Sequence, residues 1–292
     1  AAADPFVDDL GRRCALARAP RRIVSLSPSL TEVLFAMACD SLRIVGATRF
    51  CDYPPEARLV ARVGGIVDPS LEAILQLDPD LVVATRGNPL EFMESLIGLG
   101  VPVFALDDRG DLGSIPRLAE RLGRLLDCAA EAGALRRGLD ERLESVRART
   151  SVLEEATRPR VYFGELEGAL WTAGPGSHID GLISAAGGVN VAAGAPAAWC
   201  PLSLEAIVLA DPQVYFGTFP GDDSPSRRAE AEAAARAFLS RHSAWRGTML
   251  GRDPRIFLVQ EDRVLRPGPR VYDVLEEFAR FLHPELFPAV EE

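Results

Sequence analysis

One stretch of this chain occurs twice. Residues 70–82 read Ser-Leu-Glu-Ala-Ile-Leu-Gln-Leu-Asp-Pro-Asp-Leu-Val, and residues 203–215 read Ser-Leu-Glu-Ala-Ile-Val-Leu-Ala-Asp-Pro-Gln-Val-Tyr. Each copy predicts a short helix, a proline stop and a buried strand. Ser70 and Ser203 can cap their helices, because a serine hydroxyl accepts an orphan amide of the first turn. Asp78-Pro79 and Asp211-Pro212 close them, since proline biases the residue before it away from helix. Val82-Val83 and Val214-Tyr215-Phe216 are apolar, β-prone runs. Glu72 and Glu205 fall in the first turn, where the helix dipole favours a negative charge.

The copies have matching surroundings. Ser29-Leu30-Thr31-Glu32 reads as a capping box, and Ser177-His178-Ile179-Asp180 as a weaker one. Short strands follow, at Ile44-Val45-Gly46 and Val189-Asn190-Val191. An aromatic-cysteine pair comes next in both halves, Phe50-Cys51 and Trp199-Cys200. Four shared features in one order predict two lobes of one design. Between them, residues 128–156 carry Leu135, Leu139, Leu143, Val146 and Leu153 on one face at helical spacing, with charge opposite. That predicts one long linker helix. The expected division is residues 1–126, a linker at 127–158, and residues 159–292.

Charge and composition remove several classes of function. A net charge of −10 argues against nucleic-acid binding. No apolar run of about 18 residues is present, so no spanning helix is expected. The five cysteines, Cys14, Cys39, Cys51, Cys128 and Cys200, form no Cys-x-x-Cys pair, which argues against zinc and thioredoxin chemistry. One disulfide can form among them, with its pairing open. His178, His242 and His283 are scattered, and no His-x-x-x-His, Gly-x-Ser-x-Gly or phosphate loop occurs. No catalytic or metal-ligating set is expected, so the chain does not read as an enzyme.

Aromatics and arginines recur instead on the loops expected at strand ends: Phe50, Arg86, Trp171, Trp199, Phe219 and Arg266. Such residues suit a large, flat, partly anionic ligand. Trp245, beside Arg246 in a helical context, reads as structural. Ser27-Pro28-Ser29, at a helix start, reads as a cap more readily than as an anion site. Residues 6–16 read as a small N-terminal hairpin.

Several segments taken together resemble the helical-backbone substrate-binding proteins of ABC importers, which carry cobalamin, ferric siderophores and haem. They are residues 22–29 with Glu32, Cys51-Asp52-Tyr53-Pro54-Pro55-Glu56-Ala57, Val63-Gly64-Gly65, the first repeated helix, and Leu265-Arg266-Pro267-Gly268-Pro269-Arg270. The match runs from about Phe6 to Leu282, and the Asp-Tyr-Pro-Pro-Glu-Ala segment is most similar to the cobalamin-binding branch. The resemblance implies an α/β fold of two Rossmann-like lobes with parallel sheets, joined by one long helix, with a ligand cleft between lobes. It implies a monomer that captures a corrinoid, cobalamin or cobinamide, with a ferric siderophore or haem as the alternative cargo, and no resident cofactor. It implies an ABC permease dimer with ATPase subunits as partner, met by one glutamate per lobe at Glu72 and Glu205. It implies a periplasmic location, or an extracellular one on a membrane anchor, although no signal peptide is visible. Trp199, Phe50 and Trp171 match a cleft tryptophan, tyrosine and phenylalanine of that branch. The chain departs from it at Gly64-Gly65-Ile66 and Thr85, where further tryptophans would stand, and at Ala186, where a disulfide cysteine would stand. For a haem cargo, Tyr53 and His178 are the candidate axial ligands.

Overall fold

A computed structural model describes residues 6–14, 16, 18–39 and 43–288. The chain divides into two compact units, residues 1–109 with 113–139, and residues 110–112 with 140–292.

The first unit opens with a hairpin of β1 (Phe6–Val7) and β2 (Arg13–Cys14), as the sequence predicts. There follow β3 (Ile23–Ser25), α1 (Pro28–Ala36), β4 (Ile44–Ala47), β5 (Ala61–Arg62), α2 (Leu71–Gln76), β6 (Leu81–Thr85), α3 (Leu90–Gly98), β7 (Val103–Leu106), α4 (Ser114–Leu125) and the start of α5 (Ala129–Thr150). The strands β5-β4-β3-β6-β7 form one parallel sheet. The inner strands β3, β6 and β7 are buried on both faces and so are nearly all apolar, whereas the edge strand β5 is exposed. Leu81 and Val83 join a core with Leu30, Val33, Leu118 and Leu122, while Val82 and Ala84 join another with Ile74, Met93 and Leu96.

The second unit holds β8 (Arg160–Phe163), β9 (Trp171–Ala173), α6 (His178–Ala185), β10 (Val189–Asn190), β11 (Trp199–Pro201), α7 (Leu204–Ala210), β12 (Val214–Phe219), α8 (Pro225–Arg241), α9 (Met249–Arg252), β13 (Arg255–Gln260), α10 (Glu261–Val264) and α11 (Val271–Leu282). Its parallel sheet runs β10-β8-β12-β13, and β9 and β11 form a separate antiparallel ribbon. Tyr162, Ile207, Tyr215, Leu239 and Trp245 fill one core. Trp245 is fully buried, which agrees with a structural role. Phe216, Phe257 and Phe278 pack ring against ring at 4.5–5.3 Å.

The repeated helices share more than their letters. Ser70 accepts from Ala73 N (3.2 Å) and Ser203 from Ala206 N (3.1 Å), so both caps form. Asp78 and Asp211 do more than precede a proline. They turn left-handed, with φ of 45° and 44°, a conformation that aspartate tolerates better than most residues. An arginine clamps each turn. Arg22 Nε donates to the carbonyls of Leu77 (2.9 Å) and Asp78 (3.0 Å), and Arg160 Nε to those of Ala210 (2.8 Å) and Asp211 (3.0 Å). A guanidinium there satisfies orphan carbonyls and opposes the dipole.

Two expectations change. The capping box at Ser29 is not made, because α1 starts earlier, at Pro28. Proline suits the first helical position. The long helix expected over 128–156 is α5, which spans Ala129–Thr150, and Glu155–Thr157 forms a single 3₁₀ turn. The cysteine pairing left open is Cys39–Cys128, which ties the end of α1 to the start of α5. Among the described residues no helix is long and apolar enough to cross a membrane.

Candidate functional site

Open parallel sheets bind ligands beyond their strand C-termini, at the point where the strand order reverses. In the first unit that point lies between β3 and β6. In the second it lies between β8 and β12.

In the first unit, Phe50 follows β4 with 43% of its surface exposed, while its neighbour Cys51 is buried. One side of the Phe50 ring is taken, since the Arg49 guanidinium lies 4.9 Å from its centroid and pairs with Asp68 at 3.0 Å. Burial pushes the Cys51 thiol up, against hydrogen bonds from Thr31 and Thr48, so it stays protonated and weakly nucleophilic at neutral pH. Arg86 follows β6 and forms an ion pair with Asp107 at 3.3 Å. Burial raises the Asp107 carboxyl, but bonds from Arg109 and the charges of Arg109 and Arg86 bring it below its usual value.

Ser27 and Ser29 cap nothing. Ser29 donates to Asp108, and Ser27 Oγ, 2.7 Å from Ser29 Oγ and 3.3 Å from the Asp108 carboxylate, has one proton to give to either. The start of α1 therefore already holds a carboxylate from its own chain, which disfavours a second anion there. Burial pushes the Asp108 carboxyl up, opposed by these serine bonds. Sequence reading missed Asp108; its one signal was Asp107-Asp108 directly after the apolar run 101–106. Asn88 is a second missed residue. It is buried and donates to Leu26 O (3.1 Å) and Ile66 O (2.9 Å) while accepting from Thr85 N (2.8 Å), which fixes the loop bearing Arg86.

In the second unit, Trp171 and Trp199 lie on strands rather than on the loops expected. Trp199 pairs with Ala173 and Pro201 with Trp171, so both indoles stand on one face of the β9–β11 ribbon. Side chains that alternate across a strand put residues two apart on the same side, and the diagonal pair lies about 7–8 Å apart. Trp171 is 48% exposed and Trp199 37%. Behind Trp199 stand Phe163, edge-on at 6.2 Å, and His178 at 6.3 Å. His178 is buried, with Nε2 2.7 Å from the carbonyl of Val264, and burial pushes its basicity down. It supports the tryptophan from below as a neutral ring.

Phe219 and Arg266 differ from their expected settings. β12 runs on to Phe219, so the ring is buried in the core that also holds Trp245 and Leu239 and presents little surface. Arg266 is paired with Asp262 at 2.7 Å and is mostly covered. Glu72 and Glu205 are both exposed on the first turns of α2 and α7. Glu72 accepts from Gln76 at 3.2 Å, whereas the equivalent neighbour of Glu205 is Leu209, which is 87% exposed. Among the described residues no group of three or more His, Cys, Asp or Glu is placed to hold a metal ion.

Known proteins share this organisation. Residues 23–262 match the profile of a family described as periplasmic binding protein. A cobalamin-binding protein of Halobacterium salinarum is 29% identical over 268 residues, 90% of this chain and 70% of its own. An uncharacterised ABC transporter substrate-binding lipoprotein of Bacillus subtilis is 23% identical over 286 residues, 96% of this chain and 86% of its own. Among solved structures, a periplasmic haem-binding protein from Roseiflexus sp. RS-1 superimposes with a TM-score of 0.75 at 25% identity, covering 91% of this chain and 99% of that one.

Proposed function

Because this chain belongs to the periplasmic binding protein family, we propose that it is the extracytoplasmic substrate-binding protein of an ABC importer and that its cargo is a corrinoid, cobalamin or cobinamide. The observation that carries the cargo is the exposed pair Trp171 and Trp199 on one face of the ribbon. Two indoles side by side offer a broad apolar surface, suited to a large flat ligand. The cobalamin-binding relative supports the same reading. Phe50 adds an aromatic face in the first unit, with Arg86 and Arg266 as donors toward amide or carboxylate groups; each must share its carboxylate partner or exchange it.

Haem and ferric siderophores are the alternatives, and the haem-binding structural neighbour gives haem its support. Against haem stands His178, buried behind Trp199 with one ring nitrogen committed to Val264. Tyr53, 41% exposed, is left as the candidate axial ligand. The proposed role is transport rather than catalysis, and the proposed partner is a permease dimer with its ATPase subunits, met by Glu72 and Glu205. The substrate-binding lipoprotein relative supports both that partner and a location outside the cytoplasm.

The deciding experiment incubates pure protein with hydroxocobalamin, cobinamide, haemin and ferric siderophores and reads visible absorbance after gel filtration. Co-elution of either corrinoid with quenched tryptophan fluorescence is expected. Co-elution of haemin or a ferric siderophore alone overturns the corrinoid and leaves the transport role standing.

A further inference from the structure

The ribbon that carries the two tryptophans is only three pairs long. Isolated two-stranded ribbons are marginal in water, so its shape has to be held from outside. Antiparallel pairs alternate between those that exchange backbone bonds and those that do not. Gly174 N donates to Ala198 O (2.9 Å) and Leu202 N to Leu170 O (3.2 Å). The pairs Ala173–Trp199 and Trp171–Pro201 are therefore the unbonded ones. Their strands approach more closely there, and a small side chain stands opposite each indole. The carbonyls of residues 171 and 173 face away from β11. Glu165 N donates to the first at 3.1 Å. The second is met by the side chain of Asn190, Nδ2 to Ala173 O at 2.8 Å.

Asn190 is buried, at the end of β10, where that strand pairs with β8 of the main sheet. Its second amide hydrogen goes to Asp180 Oδ1 of α6 at 2.9 Å, and its own oxygen accepts from Ala192 N at 3.0 Å. One side chain thus joins sheet, helix and ribbon, and of the three contacts only the one to Ala173 reaches the strand bearing Trp171 and facing Trp199.

We propose that Asn190 is the positioning residue of the two-tryptophan platform, setting the place of β9 and so the spacing at which both indoles meet a flat ligand. The ligand half of this inference rests on the proposed corrinoid role; the geometric half does not.

The test separates the Ala173 contact from the Asp180 contact in the full chain. Asn190→Asp keeps the shape and the acceptor for Ala192 N, but loses both donors and sets two carboxylates together. Combining it with Asp180→Asn restores a donor and acceptor between positions 180 and 190, while Ala173 O stays unmet. The measurements are the melting temperature, the near-ultraviolet circular dichroism of the ligand-free protein, and hydroxocobalamin affinity by fluorescence titration. In the single variant all three are expected to change, with affinity falling about tenfold, the scale of one buried hydrogen bond. In the double variant the melting temperature is expected to recover, while the tryptophan spectrum and the affinity stay altered. Full recovery of all three would show that Asn190 serves only to tie α6, and would overturn the inference. So would a single variant with the wild-type spectrum and affinity. If the single variant does not fold, the double variant is compared with the wild type on the same criteria. If the wild type binds no hydroxocobalamin, the corrinoid reading falls, and the ligand-free spectra decide the positioning role by the same outcomes.

Discussion

Phe50-Cys51 and Trp199-Cys200 are the same device set in two different mounts. In both, the cysteine is buried and the aromatic before it is exposed, at 43% and 37%. Phe50, however, stands on an irregular loop braced by the Arg49–Asp68 ion pair, with a guanidinium against its ring. Trp199 stands on a strand, beside a second tryptophan and over a packed phenylalanine and histidine. The repeat offers equivalent positions, and the local backbone gives them unequal surfaces. If these residues meet the proposed cargo, two exposed indoles in one unit against a single half-covered ring in the other make the second unit the expected larger contributor to affinity.

The largest effect would test where the two units are still alike. Glu72→Arg together with Glu205→Arg is expected to abolish hydroxocobalamin uptake in a reconstituted transporter, since reversed charges would repel the permease groups they meet. Ligand affinity and melting temperature should hardly move, because a first-turn carboxylate is worth only about 0.3–1 kcal/mol to its own helix. Wild-type uptake, or a parallel loss of binding, would make the pair structural. A two-fold partner would also feel each single reversal equally, despite the Gln76 contact that only Glu72 has.

Next comes the inequality itself. Trp199→Ala is expected to weaken hydroxocobalamin binding by about 1–3 kcal/mol, the apolar burial of one aromatic side chain. Phe50→Ala should cost about 1 kcal/mol or less, because one ring face is already occupied. Fluorescence titration of both variants under one buffer gives the ranking, and a larger loss at Phe50 would reverse the comparison.

The smallest effect concerns the left-handed aspartates. Glycine adopts that backbone freely, so Asp78→Gly should leave stability unchanged or slightly higher. Asp211→Gly should cost about 1 kcal/mol, because Asp211 Oδ1 also accepts from Met249 N at 2.7 Å. Urea melts of the two variants would be compared, and equal shifts would mean that the Met249 bond adds nothing.

Much of this was legible in residues 70–82 and 203–215. Their capping serines, proline stops and strands form as the pattern predicts, and the left-handed turn is a refinement within the expected boundary. The long helix α5 and the N-terminal hairpin were also legible, the first from its apolar stripe. What escaped depends on pairing between distant segments. Residues 171–173 and 199–201 are too short for period-two alternation to mark them as strands, and each is a strand only because the other is beside it. Phe219 looked like a loop residue because it abuts the turn signal Pro220-Gly221, whereas β12 runs right up to that turn. Arg86 looked free because Asp107 becomes its partner only through the fold, whereas the Arg266–Asp262 pair is local, four residues apart, and was overlooked. Asn190 could be seen as a polar residue in a strand, but its three bonds could not.

The Cys39–Cys128 cross-link also says something about how the chain has to be made. Its partners are separated by 89 positions, and Cys51 emerges long before Cys128 does. For that interval the first cysteine has a nearer thiol within reach, and Cys14 has already passed. The finished fold protects itself by burying Cys14, Cys51 and Cys200, but the nascent chain has no such shelter. Yield from an oxidising host will therefore depend on correction of early mispaired chains as much as on the stability of the finished protein.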